Sequence, residues 1–150
     1  MGDCDIEKLK EEYKSFCNDT VKRWKFANEI LYKMCENNIK HEEDDVIAGK
    51  LLLIGRSYAA AIERRKIENN VDNDDFYYLK VVPKMKEIGN VLDEKIKLLN
   101  SKDEIKDNID LILATHCSLV SVFHDLTDLN KRSLASKYLH FHCKNMFFIY

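Results

Sequence analysis

The sequence predicts an all-α fold, a single-domain array of six or seven helices with orthogonal or bundle-like packing. Three observations carry that expectation. Glycine occurs four times and proline once in 150 residues, a scarcity that disfavours turn-rich sandwiches and barrels and favours long helices with short connections. Apolar residues recur at spacings of three and four along most of the chain, the signature of amphipathic helices. Only Glu68 to Asp75 (ENNVDNDD) reads as a clear loop, and it is too short to separate two domains. Residues 1–150 are therefore read as one helical domain, long enough to bury roughly 70% of the surface its unfolded chain exposes.

Taken in order, Ile6, Leu9, Tyr13 and Phe16 place one apolar face on a helix from about Asp3 to Asn18, opposite a solvated face of Glu7, Lys8, Lys10, Glu11 and Glu12. Asp19-Thr20 can cap a second helix to about Glu36, whose stripe is Val21, Trp24, Ala27, Leu31 and Met34. Trp24, the single tryptophan, is expected in the core. The acidic run His41 to Asp45 (HEEDD) suits the first turn of the next helix, where carboxylates complement the helix dipole. That helix, from about Asp45 to Lys66, is apolar around much of its girth and is expected at the centre of the fold, with Ile54 in the core. Gly49 and Gly55 each cost about 1 kcal/mol against alanine in a helix, so close helix approach is the expected reason for them. Arg56, Arg64 and Arg65 interrupt its apolar surface and either snorkel from the edge or reach an anion.

Beyond the loop, Asp74 or Asp75 can cap a helix that starts at Phe76. Pro83 then either kinks that helix or begins a new one, which runs to Asn100. Ser101 to Glu104 has the S-x-x-E pattern of a capping box and is expected to open a helix ending near Thr127. His116 falls on its apolar face and is expected to be a hydrogen-bonded core histidine.

The last stretch, Asn130 to Tyr150, differs from the rest. It contains no acid in a chain whose net charge is −2, and Lys131, Arg132, Lys137 and Lys144 make it basic. Lysines and arginines on a helix can neutralise a phosphate backbone, so Lys131, Arg132, Lys137 and His140 are the candidate nucleic-acid contacts. The aromatic end, with Phe147, Phe148 and Tyr150, is the candidate partner-binding surface, or else it docks into the core. His140 and His142 are two apart and point in different directions on a helix, so no metal is assigned to them. Cys4, Cys17, Cys35, Cys117 and Cys143 are odd in number and widely spaced, with no C-x-x-C, which predicts reduced thiols and no disulfide framework. No apolar run approaches the ~18 residues a membrane span needs, and the N-terminus is charged rather than signal-like. A cytoplasmic protein with no membrane partner is expected.

The segment LNKRSLASKYLHFHCKNMFFIY resembles a stretch of helix-hairpin-helix DNA glycosylase-like proteins. In those, a helix with a small residue in an A-x-x-L context precedes a loop and an aromatic FPIYD-type stretch. The resemblance covers about twenty residues. It implies nucleic-acid association, with Lys137 nearest to a Schiff-base role. The chain departs from the pattern at two functional points: Leu129 to Ser133 contains no glycine where the family's hairpin grips a phosphate, and no aspartate follows the aromatic stretch. No Ser/His/Asp set, glycine-rich phosphate loop or paired catalytic carboxylates stand elsewhere. The leading expectation is a nucleic-acid-associated helical protein without turnover and without a cofactor. The alternative is a helical protein–protein interaction module, with a homodimer as one form of it, built around the terminal aromatics.

Overall fold

A computed structural model of the protein describes residues 6–67 and 71–149; within the first helix, the side chains at 6, 8, 9, 12, 13 and 16–21 are not described. The chain is all-α, and among the described residues there is no strand. Among the described residues six α-helical segments follow in order: α1 (Ile6–Asn37), α2 (Asp44–Ser57), α3 (Asn73–Phe76), α4 (Val82–Asn100), α5 (Ile109–Thr127) and α6 (Arg132–His142). α6 packs against α1, α2 and α5, and α4 packs against α2 and α5. The core stands between them, with Ile47, Leu51 and Ile54 of α2, Met85 and Leu99 of α4, and Tyr138 and Leu139 of α6 all without exposed surface.

Several elements depart from the sequence expectation, each for a local reason. The two helices expected on either side of Asp19-Thr20 are one continuous helix. Asp and Thr lower helix propensity by only a few tenths of a kcal/mol, too little to break a helix that packing holds further along. The stripe Ile6, Leu9, Tyr13 and Phe16 lies outside the described side chains, as does Val21. Trp24 is not a core residue: it is 47% exposed, with its ring tilted against Tyr58 at 5.6 Å. Among the described side chains of α1, Leu31 and Cys35 are the ones the core buries.

α2 stops at Ser57 instead of running to Lys66. Ala59 adopts the left-handed conformation (φ 53°), Ala60 N–H donates to the Gly55 carbonyl at 2.7 Å and Ala59 N–H reaches the Arg56 carbonyl at 3.4 Å. That pattern is a Schellman C-cap, with alanine where glycine is usual. Gly55 allows the turn to fold back, because a Cβ there would lie 3.0 Å from the Ala61 Cα. Gly49, in contrast, has nothing within 4 Å of its would-be Cβ, so close approach does not explain it. The chain continues through a 3₁₀ turn, Ile62–Arg65.

Asp72, rather than Asp74 or Asp75, caps the next helix by accepting from the Asp74 N–H at 2.8 Å. A π turn over Tyr77–Val81 then joins α3 to α4, and Pro83 sits in the first turn of α4. Proline lacks an N–H and its ring crowds the carbonyl four residues back, which is relieved by widening the preceding turn. Ser101 does not open a helix. Its hydroxyl donates to the Leu98 carbonyl at 2.7 Å as the end of α4, and α5 begins only after a 3₁₀ turn at Lys106–Asn108.

Candidate functional site

A buried polar centre links four parts of the fold. Gly89 and Asp93 lie one turn apart on α4. The backbone of His41, in the α1–α2 connection, sits on Gly89, where a Cβ would meet the His41 carbonyl oxygen at 3.1 Å. Asp93 then accepts from the His41 backbone N–H at 3.1 Å and from its Nδ1 at 2.5 Å. Because Nδ1 faces a carboxylate, Nε2 is the accepting nitrogen, and the Tyr138 hydroxyl of α6 donates to it at 2.7 Å. Lys50 of α2, fully buried, donates to the Asn38 carbonyl just past the end of α1. His142 stacks at 5.4 Å from His41 and 5.1 Å from Tyr138, and its Nε2 is shut off from solvent with no hydrogen-bond partner.

Burial sets the protonation states. It lowers His41, outweighing the Asp93 hydrogen bond, and lowers His142 further, with Lys50 and His41 adding to the effect. Burial raises Tyr138 and pushes the neighbouring Cys35 thiol up to about 12. Asp93, His41 and Tyr138 have the connectivity of a proton relay, but Tyr138 has no exposed surface and His41 only 3%. A relay closed to substrate is a packing device: it ties the α1–α2 connection to α4 and α6. Sequence reading missed it. The only available signal was that His41 stands beside the acidic run without belonging to the helical pattern.

α6 distributes the candidate phosphate contacts unevenly. Leu134, Ala135, Tyr138 and Leu139 face the core, and a helix with that buried stripe turns Lys137 inward as well. Lys137 is 5% exposed, donates to Ser133 Oγ at 2.5 Å, and is lowered in pKa by burial. His140 is half-buried; its Nδ1 faces the Phe147 carbonyl at 2.6 Å and its Nε2 the Tyr32 hydroxyl at 2.5 Å. The expectation of one basic face on α6 is corrected at these two residues, since their polar atoms are turned to internal partners. Arg132 is exposed and Lys131 half-buried at the surface.

They are joined there by residues distant in sequence. The 3₁₀ turn at Ile62–Arg65 packs against α5 and brings Arg65 close enough to Lys131 to lower the lysine's pKa, after burial and against the pull of Glu63. Glu63 itself is committed elsewhere: Arg56 Nε donates to it at 3.0 Å and the Tyr77 hydroxyl at 2.7 Å. Burial favours its neutral form, yet those bonds more than offset it and leave the carboxyl below its usual range. Arg64, Arg65 and Arg132 form no ion pair among the described residues. Lys131 is the N-cap of α6, with no side-chain cap and no acid in the first turn. Cations at the positive end of a helix dipole are unfavourable unless an anion joins them.

The terminal aromatics also divide. Phe147 is 4% exposed and belongs to the core, a correction to its assignment as partner-binding; Phe148 is 65% exposed, and Tyr150 lies outside the described residues. His116 is hydrogen-bonded as expected, its Nε2 3.2 Å from the Arg132 carbonyl and 3.3 Å from Ser136 Oγ, but it is half-buried beside an open depression and not in the core, because the buried face of α5 runs through Thr115, Leu119 and Val122. No group of three or more metal-ligating side chains forms among the described residues. By length and composition alone, Lys106–Thr127 is apolar enough to cross a membrane, although no membrane span was expected from the sequence; about a third of it is buried in the fold.

The molecule is thus an all-α bundle with a closed polar centre and an open cationic corner. No family model matches the chain, and no curated protein and no solved structure matches it either.

Proposed function

We propose that the protein binds the phosphate backbone of nucleic acid through the corner formed by Arg65, Lys131 and Arg132, without turnover of its own. What supports this is the pair Lys131 and exposed Arg132 at the uncapped, acid-free N-terminus of α6, within electrostatic reach of Arg65, with the neighbouring Glu63 already engaged by Arg56 and Tyr77. Clustered cations repel one another and gain when a polyanion releases its own counterions to meet them. Such interactions position a nucleic acid without reading its sequence. The resemblance of the α6 segment to glycosylase-like proteins supports nucleic-acid association. The burial of Lys137 supports the absence of a glycosylase step, since its amine is not presented to a sugar. A cytosolic setting belongs to the same proposal.

Fluorescence anisotropy on labelled single- and double-stranded DNA and RNA, titrated with salt, tests it. The parent protein should bind at low salt without sequence preference. Arg65→Ala with Lys131→Ala should weaken binding on every sequence and flatten the duplex-DNA salt slope by about 0.9 for each phosphate no longer neutralised. Lys86→Ala, whose ammonium pairs with Asp44 at 2.5 Å well away from the corner in sequence, should leave affinity unchanged. No binding at low salt, or equal weakening by both variants, would overturn the proposal.

A further inference from the structure

From Glu36 to Asp45 the chain is exposed at every residue but one. The exception is His41, whose side chain has no exposed surface, while neighbouring Ile39 is left 54% exposed. Burial favours apolar side chains, yet here the apolar residue stays outside and a titratable one is inserted. Among the described residues, 38–43 are tied to other elements at two points. Lys50 holds the Asn38 carbonyl, and Asp93 and Tyr138 hold the His41 backbone and ring over Gly89. The other bonds of this stretch, from Asn38 to the Met34 carbonyl and from Lys40 to Glu42, stay within α1 and the connection itself.

We infer that His41 is an acid-released pin, whose protonation frees the α1–α2 connection from α4 and α6 while the bundle stays folded. The docked site fits a neutral ring. Nδ1 donates to Asp93 and Nε2 accepts from Tyr138, so an imidazolium would aim a second N–H at a buried hydroxyl already using its proton on that nitrogen. Charge acts in the same direction. Lys50 of α2, Asp93 of α4, and Tyr138 and His142 of α6 surround the ring, with the Cys35 thiol of α1 within reach of Lys50 and Tyr138. Burial keeps the Tyr138 hydroxyl and the Cys35 thiol neutral, so Lys50 and Asp93 balance and a further cation is uncompensated. Asp93 favours the imidazolium, but it already lies within reach of the Lys40 and Lys50 ammonium groups, and burial outweighs it. Once released, the solvated ring titrates near its ordinary value of about 6.5. A histidine lowered in the docked state stabilises docking fully above that value, and this is lost as pH falls through it. The apolar cluster that includes Ile47, Met85 and Leu139 keeps α2, α4 and α6 together without His41. None of these residues belongs to the cationic corner, so the inference does not depend on phosphate binding.

Amide hydrogen exchange on the full chain, corrected for intrinsic rates and compared between about pH 7.5 and about pH 5.5, tests it, with an NMR titration of the histidine rings as a second readout. The His41 amide, bonded to Asp93, should lose up to about tenfold in protection, the most that one histidine with a released value of about 6.5 supplies over that range. The acid-induced opening should be insensitive to low urea, because a local release exposes little surface. His41→Gln keeps a donor for Asp93 and an acceptor for Tyr138 without titrating, so it should hold the connection closed at both pH values. His142→Phe should leave the pH difference in place. If His41→Gln fails to fold, the parent decides: its His41 ring should charge with the same midpoint as the change in exchange. Unchanged protection at acid pH overturns the inference, as does a His41 ring that charges while the amide stays protected. A pH difference that survives His41→Gln, or that His142→Phe abolishes, moves the sensor elsewhere and equally overturns it. An acid opening that urea accelerates as strongly as exchange in α4 is global unfolding, and leaves no pin.

Discussion

At the scale of single residues, the buried polar centre carries the strongest pH dependence. His142 is held well below its ordinary imidazole pKa by burial, and His41 is lowered in the same direction. A histidine that charges only in the unfolded chain makes the unfolded state bind more protons. The stability it contributes is complete above the unfolded value of about 6.5 and is lost as pH falls below it. His142→Phe removes one such group, together with a buried nitrogen that has no partner. The urea midpoint should then drop less between about pH 7.5 and about pH 5.5 than in the parent, with His41 supplying the remainder. An unchanged drop would mean that His142 charges in place. Lys137 is the other buried cation of interest, on α6. Its 5% exposure and its bond to Ser133 withhold the amine from a bulky sugar, so no borohydride-trapped adduct should form with duplexes containing oxidised or abasic sites. A trapped adduct that disappears on Lys137→Gln would show that α6 opens.

At the scale of elements, the glycines and the α2 cap separate propensity from packing. Gly49 stands in α2 with free space around its would-be Cβ, so Gly49→Ala should stabilise by about 1 kcal/mol, the propensity difference. Gly89→Ala offers the same propensity gain on α4. Its Cβ would press on His41 at 3.1–3.2 Å, and His41 is held by Asp93 and Tyr138 and cannot yield. That variant should be destabilised instead. Denaturation midpoints of the pair should move in opposite directions, and a gain in both would show that the His41 segment is loosely held. Ala59 is the converse case, an alanine in a left-handed cap. Ala59→Gly should raise stability by up to about 1 kcal/mol, the strain relieved less glycine's entropic cost; a fall in the midpoint would argue that the Schellman turn does not form.

At the scale of the whole molecule, a near-balanced charge of −2 gives no general attraction for a polyanion. Folding concentrates the opposite sign locally, by carrying the turn at Ile62–Arg65 to the start of α6. The same folding leaves the uncharged α5 face open. One corner of the molecule thus gathers cations while a stretch of helix without charge, Leu111 to Phe123, stays partly open, and neither is a property of the composition.

The sequence by itself determined the helical class and the apolar faces of α2, α4 and α6, because periodicity at 3.6 residues is a local property that any packing must respect; on α5 the buried face runs through Thr115, Leu119 and Val122 and not through the expected Ile109, Ile112 and His116. Ile54 was legible as core for that reason, whereas His116, expected in the core, is only half-buried. What only the tertiary structure decided is where helices stop and which polar groups meet. Asp19-Thr20 and Ser101 carry capping chemistry that goes unused as a helix start, since a cap signal is worth about 1 kcal/mol and continued packing or a competing carbonyl outweighs it. Tyr58 to Ala61 leaves the helix with no proline or glycine to announce it, because Gly55 lies three residues upstream and acts only when the chain folds back on it. His41 meets Asp93 and Tyr138 across separations of 52 and 97 residues, and Arg65 meets Lys131 across a comparable stretch of chain. Meetings at that range depend on how α1, α2, α4 and α6 pack together, and no local pattern in the chain encodes them.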